Sequence, residues 1–260
     1  MPENRFAALG TDSSGDEDPR ENAAPSGSAA SSGNILHIAD EETDPTQEFL
    51  PPADAKRYPF DYYAVLDFEC TCEKDGRHKV RFQHEIIEFP VVFLNARTLQ
   101  VDLEFRRYVR PTERPRLSEF CTQLTGIEQV TVDRADTLDV VLHEFHEFLY
   151  EHKLVCRRRD RTVEQRLFVI CSDGPWDLVR FLRPECQRKR LPLGPYWERY
   201  VDVRNSFAEA FQGHRCGITS MLEKRGLELE GRLHSGIDDA RNIARIAAEV
   251  LRAGHRLAPP

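Results

Sequence analysis

The sequence lacks the features that would place it in a membrane or among secreted, disulfide-rich proteins. No apolar run approaches the roughly 20 residues that a membrane-spanning helix needs. The first residues, MPENRFAALG, lack the basic stretch and apolar segment of a secretory signal peptide. The seven cysteines are an odd number in a chain without that signal, which favours free thiols in a reducing compartment. We therefore expect an intracellular protein, cytoplasmic or nuclear, with no membrane partner.

The net charge of −8 is confined to one end of the chain. Residues 1–57 carry twelve acidic and four basic side chains, so residues 58–260 carry equal numbers of each sign. The first segment is rich in Ser, Gly, Ala and Pro, and such a segment cannot bury enough apolar surface to offset the entropy of ordering. We predict a disordered acidic tail over 1–57, a candidate binding segment for a protein partner, and one folded domain over 58–260. Because that domain is neutral, the acidic total does not argue against an anionic substrate.

The folded part begins with strand patterns and continues with alternating strands and helices. The expected strands are 62–72, 84–96, 101–109, 167–171 and 200–203, and the expected helices are 137–152, 176–183, 218–225 and 237–251. Short polar turns join the first three strands, which predicts an antiparallel meander. The later alternation adds parallel strands and covering helices. The predicted class is therefore α/β, a mixed sheet flanked by helices.

Two acids on the first strand are the sharpest chemical feature. Strand alternation places Asp67, Glu69 and Thr71 on one face, and it sends Phe68 and Cys70 to the apolar core. Two neighbouring carboxylates repel each other and are costly to bury. A divalent cation between them removes that cost, and oxygen ligands suit Mg²⁺ or Mn²⁺. Taken alone, the D-x-E pattern favours the other interpretation, an exposed strand whose polar face points to water.

Further acids in the second half of the chain change that balance. The order Asp67-x-Glu69, Trp176-Asp177, His234-x₄-Asp239 resembles the three motifs of the DEDDh (DnaQ-like) 3′-to-5′ exonucleases. The surrounding segments DFECTCE, HEIIEFPVV, LTGI, CSDGPWDL and HSGIDDARNIARI are similar to those of Eri-type exoribonucleases. The resemblance covers roughly residues 58–255.

The resemblance implies a fold and a set of catalytic residues. The fold is an RNase H-like sheet, and two Mg²⁺ ions, replaceable by Mn²⁺, are held by Asp67, Glu69, Asp177 and Asp239. Two cations can activate a water and stabilise the charge that develops in phosphodiester hydrolysis. His234, with an ordinary pKa of about 6.5, suits the role of general base toward the attacking water.

Two acids beside the implied ligands receive other interpretations. We expect Asp173 to bond backbone amides in the turn that follows its strand. Asp238 stands three residues after Ser235, the spacing of a capping box at a helix start. The preference for Asp177 and Asp239 as ligands is implied by the resemblance.

The substrate side of the site is less defined by sequence. The resemblance places the backbone around Phe68, Cys70 and Thr71 near the terminal nucleotide, where a 2′-hydroxyl could be read. Trp176 could stack on a terminal base or could belong to the core. Clusters of basic residues (Arg106, Arg107 and Arg110; Arg157–Arg161; Arg188–Arg190) would form either a phosphate-binding surface or solvated loops.

Two metal-like patterns favour structural roles. His143 and His146 form HExH, one residue short of the zinc motif HExxH, and they lie on the expected solvated face of a helix. Cys70 and Cys72 have no second Cys or His pair at zinc spacing. We interpret the histidines as surface residues and the cysteines as structural thiols.

The sequence thus predicts a metal-dependent 3′-to-5′ exoribonuclease that releases 5′-mononucleotides from single-stranded RNA or overhangs. One alternative is the same chemistry on DNA. Another is a catalytically silent module that binds RNA or protein. Release of mononucleotides that depends on Mg²⁺ distinguishes the enzyme from the module.

Overall fold

The computed structural model describes residues 59–74, 82–157, 163–165 and 168–260. The predicted tail over 1–57 lies outside these residues, so its disorder and its boundary stay predictions. Most of the basic cluster at 157–161 lies outside them as well. In the parts of the chain that the structure describes, no helix combines the length and the apolar character needed to span a membrane.

One six-stranded sheet runs through the described part of the chain. Its strands are β1 (Tyr62–Leu66), β2 (Glu69–Cys70), β3 (Ile86–Asn95), β4 (Val101–Tyr108), β7 (Phe168–Ser172) and β8 (Tyr200–Asp202), while β5 (Val155–Arg157) and β6 (Val163–Gln165) form a separate pair. Strand β3 pairs antiparallel with β4 and with β1 and β2. Strand β1 pairs in parallel with β7, and β7 with β8. The predicted meander and the mixed sheet are confirmed.

Helices cover both faces of this sheet. They are α1 (Glu119–Thr125), α2 (Gln129–Asp133), α3 (Leu138–Glu151), a π-helical segment (Trp176–Leu182), α4 (Arg183–Lys189), a short 3₁₀ turn (Pro195–Trp197), α5 (Val203–Ala210), α6 (Ile218–Lys224) and α7 (Gly236–Arg252). The predicted helices at 137–152, 218–225 and 237–251 are confirmed within one or two residues.

Strand alternation divides the core into two halves. Ala64 and Leu66 face the half that contains α3 and the π-helical segment, and Tyr63 and Val65 face the half that contains α5 and α7. Strands β1 and β7 have both faces covered, which is why their sequences YYAVL and FVICS are almost continuously apolar. The central strand of the sheet is therefore rigidly held on both sides.

The first strand differs from its prediction at a functionally important point. The expected strand over 62–72 is interrupted after Leu66, and pairing resumes at Glu69 with a register shift before Cys70. Between the two pieces, the Phe68 N–H donates to the carboxylate of Asp177 (2.8 Å) rather than to a neighbouring strand. The regular pairing of the sheet is therefore interrupted at Asp67 and Glu69.

Several helices escaped prediction for identifiable reasons. Helices α1, α2 and α5 have five to eight residues, too few for apolar periodicity to stand out. The helix expected to open over 176–183 does so with a π-helical segment, in which the Arg183 N–H bonds the Leu178 carbonyl, and it continues as α4 to Lys189. Pro184 has no N–H to donate within that turn, and we attribute the wider turn before it to this missing donor.

Candidate active site

The interrupted strand brings Asp67 and Glu69 beside the start of the π-helical segment. Asp177, in the first turn of that segment, is buried and accepts the Phe68 N–H through Oδ1 at 2.8 Å. This bond ties the third acid to the backbone between the first two. Its position depends on the strand interruption, because a regular ladder would have used the same N–H.

The start of α7 lies directly against the Asp67 backbone. A Cβ on Gly236 would lie 2.5 Å from the Asp67 carbonyl oxygen, so only glycine permits this approach. The Gly236 N–H donates to the buried carboxylate of Glu88 on β3 at 3.1 Å. These two contacts place the residues on both sides of Gly236, His234 and Asp239, next to the strand acids.

His234 and Asp239 are linked across the helix start. The His234 N–H donates to Asp239 Oδ2 at 2.7 Å, and His234 adopts a left-handed backbone conformation with a φ of 60°. Such a conformation is uncommon for a residue other than glycine and is often found at functional sites. The side chain of His234 is exposed. Partial desolvation of the ring, together with the positive charge of Arg232, lowers its pKa, so the ring is neutral and able to accept a proton near neutral pH.

The four carboxylates influence one another strongly. Burial raises the pKa of Asp67 well above its ordinary range, and the charges of Asp177, Asp239 and Glu69 raise it further. Burial also raises the pKa of Asp177 and of Asp239 to about 7, and burial with the Asp239 charge raises that of Glu69. All four predicted acids therefore lie in one electrostatically coupled cluster with an excess of negative charge.

This cluster fits a divalent cation. Donor atoms of Glu69, His234 and Asp239 lie within 4.8 Å of one another. Asp239 Oδ1 is buried and has no hydrogen-bond partner among the described residues, although buried polar atoms almost always have one. Hard oxygen donors of this kind suit Mg²⁺ or Mn²⁺.

Two neighbouring acids behave differently from their predictions. Asp173 was expected to bond backbone amides, but it forms a two-bond ion pair with Arg204 (3.0 and 2.5 Å). Asp238 was expected to form a capping box with Ser235, but Ser235 makes no side-chain cap and Asp238 accepts the Arg232 N–H at 3.2 Å. The prediction of a capping box was wrong, because the Ser235 N–H donates to the Arg232 carbonyl oxygen at 3.3 Å and not to the Asp238 carboxylate.

The predicted substrate-binding residues divide into buried and exposed groups. Phe68 packs on Phe89 with ring centroids 4.6 Å apart, and Cys70 is buried in the same core. The buried Thr71 hydroxyl accepts the Glu85 N–H at 3.0 Å. These three side chains are occupied, so any contact with substrate would involve their backbone. Trp176 is 55% exposed, and the alternative of a core tryptophan was wrong.

The metal-like patterns do not form metal sites in the described residues. His143 is exposed as expected, but His146 is partly buried and stacks on Tyr196 with ring centroids 6.3 Å apart. The solvated-face interpretation of His146 was therefore wrong. Cys70 lies in the main core, whereas Cys72 packs in a separate small core with Cys121. All seven cysteines are free thiols.

Most of the described residues in the basic clusters form ion pairs with acidic side chains. Arg106 pairs with Glu88, Arg107 with Glu144, and Arg188 with Glu113. Lys189 bonds both Glu85 and Glu185 at 2.7 Å. These pairs favour a structural role over a phosphate-binding surface, which was one of the two alternatives that the sequence left open.

Glu88 is the residue that sequence reasoning missed. Its side chain is only 1% exposed, and it holds the start of α7 through Gly236 while pairing with Arg106 at 2.8 Å. It also faces Glu69 in the register of β2 and β3. A signal was present, because a charged residue inside the apolar run of HEIIEFPVV needs a partner when that strand is buried.

Comparison with known proteins identifies the family. The model of the exonuclease family matches residues 64–247 of this chain. The chain belongs to the exonuclease family. The 3′-5′ exoribonuclease 1 of Rattus norvegicus is 40% identical over 200 residues, which cover 76% of this chain and 55% of the relative. The chain thus spans about half the length of that curated relative.

Solved structures of exonucleases share this fold. The nuclease domain of 3′hExo, a DEDDh family member bound to rAMP, is 39% identical with a TM-score of 0.70, covering 77% of this chain and 96% of that one. A 3′-exonuclease in 3′-end-specific recognition of a histone mRNA stem-loop is 39% identical with a TM-score of 0.69, covering 77% and 66%. The resemblance to DEDDh and Eri-type exonucleases, and the RNase H-like fold, are confirmed.

Proposed function

We propose that this exonuclease-family chain is a metal-dependent 3′-to-5′ exoribonuclease that hydrolyses RNA from the 3′ end and releases 5′-mononucleotides. The observation that carries the proposal is the convergence of Asp67, Glu69, Asp177 and Asp239 with the exposed ring of His234. The likeness to a 3′-5′ exoribonuclease and to a nuclease domain bound to rAMP supports it.

The four carboxylates would hold two divalent cations, Mg²⁺ or Mn²⁺. When bound, such cations activate a water and stabilise charge on the attacking and leaving oxygens of an in-line displacement. Asp177 and Asp239 also shape the site through their backbone bonds to Phe68 and His234. The acids thus fix both the ligand positions and the location of the histidine.

His234 would act as the general base. Its lowered pKa keeps the ring neutral at physiological pH, and its exposure allows the ring to reach a water at the site. The left-handed backbone at His234, held by the bond to Asp239, directs the residue away from the regular helix. Proton transfer to this ring would accompany attack on the terminal phosphodiester.

The substrate contacts would combine backbone and aromatic groups. The backbone at Phe68–Thr71 would face the terminal ribose, and Trp176 would stack on the terminal base beside Asp177. Single-stranded 3′ ends or overhangs fit this arrangement because the terminal base must leave any duplex stack to reach Trp176.

The test uses end-labelled RNA and DNA oligonucleotides, single-stranded and duplex, with Mg²⁺, Mn²⁺ or EDTA. We expect a ladder shortening from the 3′ end of RNA, release of 5′-mononucleotides, and no reaction in EDTA. Faster degradation of DNA than of RNA would replace the proposed substrate with DNA. Metal-independent cleavage, or no cleavage of any strand, would contradict the enzyme assignment.

A further inference from the structure

A row of four aromatic rings extends from the candidate active site. Trp176 lies beside Asp177, and its ring centroid is 6.3 Å from that of Phe181. Phe181 is 5.1 Å from His84, and His84 is 4.8 Å from Phe82. We call Trp176, Phe181, His84 and Phe82 the aromatic row.

The aromatic row is attached to the elements that carry the catalytic acids. Trp176 and Phe181 belong to the π-helical segment that contains Asp177. His84 Nδ1 lies 2.9 Å from the carbonyl oxygen of Thr71, two residues after Glu69. The row is therefore held relative to the site through the π-helical segment and through His84.

Arginine guanidinium groups lie next to the rings at the two ends of the row. Arg180 lies 5.0 Å from the centroid of the Trp176 ring, and Arg114 lies 4.3 Å from that of Phe82. Arg188 donates to the His84 carbonyl at 3.0 Å, although it also pairs with Glu113. Among the described residues, neither Arg180 nor Arg114 forms an ion pair, so both charges are available to an anionic ligand.

The outer half of the row is not explained by core packing. Phe181 packs partly against the main core, but Phe82 belongs to none of the three apolar clusters in the described chain. Arg114, whose guanidinium group lies over the Phe82 ring, is exposed to solvent. An aromatic ring covered by an arginine that has no acidic partner among the described residues, in one row with Trp176, has the chemistry of a site for stacked bases and their phosphates.

We propose that the aromatic row binds the nucleotides that precede the 3′-terminal nucleotide of a single-stranded nucleic acid. Their bases stack against Phe181, His84 and Phe82, and their phosphates lie near Arg180 and Arg114. The inference rests on the proposed function, since Trp176 takes the terminal base there. It adds a length requirement: a strand long enough to reach Phe82 binds more tightly than a dinucleotide that ends at Trp176.

The experiment compares a dinucleotide with a single-stranded RNA decanucleotide. The variants are Phe82→Ala, Arg114→Ala and the double variant, none of which touches the carboxylate cluster. Arg225→Ala is the matched control, because Arg225 lies 4.2 Å from the Phe211 ring centroid in the other half of the molecule. Phe82→Trp tests whether a stacking ring, rather than this one side chain, is required.

We expect the double variant to raise the KM for the decanucleotide by about tenfold or more, since base stacking and phosphate contacts are lost together. The kcat/KM for the dinucleotide should stay within about twofold, because its single preceding nucleotide lies at Phe181 and does not reach Phe82 or Arg114. Phe82→Trp should behave as wild type, and so should Arg225→Ala. Equal effects on both substrates, or no effect on the decanucleotide, would overturn the proposal.

A binding measurement separates this inference from the proposed function. Fluorescence anisotropy of a labelled decanucleotide in EDTA reports affinity without hydrolysis. A roughly tenfold weaker binding by the double variant supports the aromatic row even if the wild-type protein cleaves nothing, in which case the proposed function alone is contradicted. If the wild-type protein cleaves RNA but the double variant binds the decanucleotide as tightly as the wild type does, the inference about the aromatic row is overturned and the proposed function is not.

Discussion

Two clusters of buried carboxylates differ in how their negative charge is compensated. In the first, Glu85 accepts the N–H groups of residues 112–114, and Lys189 bonds both Glu85 and Glu185 at 2.7 Å. In the second, the four acids around Asp67 receive two backbone N–H groups, from Phe68 and His234, and no cationic side chain bonds them among the described residues. A structural cluster contains its own counter-charge, whereas this site requires one from outside.

The pKa shifts of Glu85 and Asp67 follow that difference, whereas at Glu185 burial outweighs the effect of Lys189 and raises the pKa. Burial works against ionisation of Glu85, but Lys189 and the backbone N–H groups outweigh it and lower the pKa of Glu85. In the Asp67 cluster burial and the neighbouring acids act in the same direction, and the pKa of Asp67 rises well above its ordinary range. Unpaired buried carboxylates of this kind are a mark of functional sites.

The largest expected effect comes from removing a charge from the Asp67 cluster. Asp67→Asn should abolish hydrolysis, to below about one-thousandth of the wild-type rate, because cation binding supplies several kcal/mol of transition-state stabilisation. Its melting temperature in EDTA should hold or rise, since repulsion with Asp177, Asp239 and Glu69 is relieved. Thermal unfolding by circular dichroism and RNA hydrolysis check the two halves. If Asp67→Asn loses activity because the protein unfolds, the Asp67 cluster contributes to stability as the Lys189-paired cluster does, and the contrast between the two clusters fails.

The next effect isolates the histidine from the acids. His234→Ala should lower kcat by about 10²–10⁴-fold while the RNA dissociation constant changes little, because the ring acts on the proton rather than on substrate affinity. The wild-type rate should rise with pH through the pKa of the ring, which lies below its ordinary value, and the variant should lack this rise. Steady-state kinetics across pH 5–9 provide the check. A variant with near-wild-type kcat would contradict the general-base role.

Breaking the paired cluster should affect stability instead of chemistry. Lys189→Met leaves Glu85 and Glu185 buried without their cation, and the loss of one partner of a buried ion pair costs about 3–5 kcal/mol. Urea unfolding measures this loss. Under conditions in which the variant is folded, we expect hydrolysis within a few-fold of wild type. Wild-type stability in Lys189→Met would mean that the paired cluster needs no internal counter-charge.

A smaller effect concerns the pH dependence of the metal-free protein. Asp177 and Asp239 have pKa values of about 7 in the folded state, above the ordinary carboxyl value of about 3.9 in an unfolded chain. Groups with a raised folded pKa bind protons more tightly when folded, so their stabilisation is present at low pH and is lost as pH rises through about 7.

In EDTA, the melting temperature should therefore be lower at pH 8 than at pH 5.5, and Mg²⁺ should restore it at pH 8. Differential scanning calorimetry at the two pH values tests this expectation, with Asp177→Asn as the variant in which the difference shrinks. A melting temperature in EDTA that is unchanged or higher at pH 8 would show that the carboxylates are already compensated within the protein.

Much of this molecule was determined by the sequence alone, because its signals are local. Apolar alternation and helical periodicity located the long strands and α3 and α7. The resemblance of three sequence motifs to those of DEDDh exonucleases singled out five residues, which the structure brings into one cluster: Asp67, Glu69, Asp177, His234 and Asp239. The periodic patterns and each short motif are local in the chain, so they can be recognised without knowledge of the contacts between distant segments.

Other features were decided only by contacts between distant segments. The strand interruption at Phe68 depends on an N–H bond to Asp177, 109 residues later in the chain. The role of Glu88 depends on Gly236, and the pairing of Asp173 with Arg204 replaced the expected turn bonds. A side chain bonds whichever partner the fold brings within about 3 Å, and that distance is set by the packing of the sheet and helices rather than by local sequence.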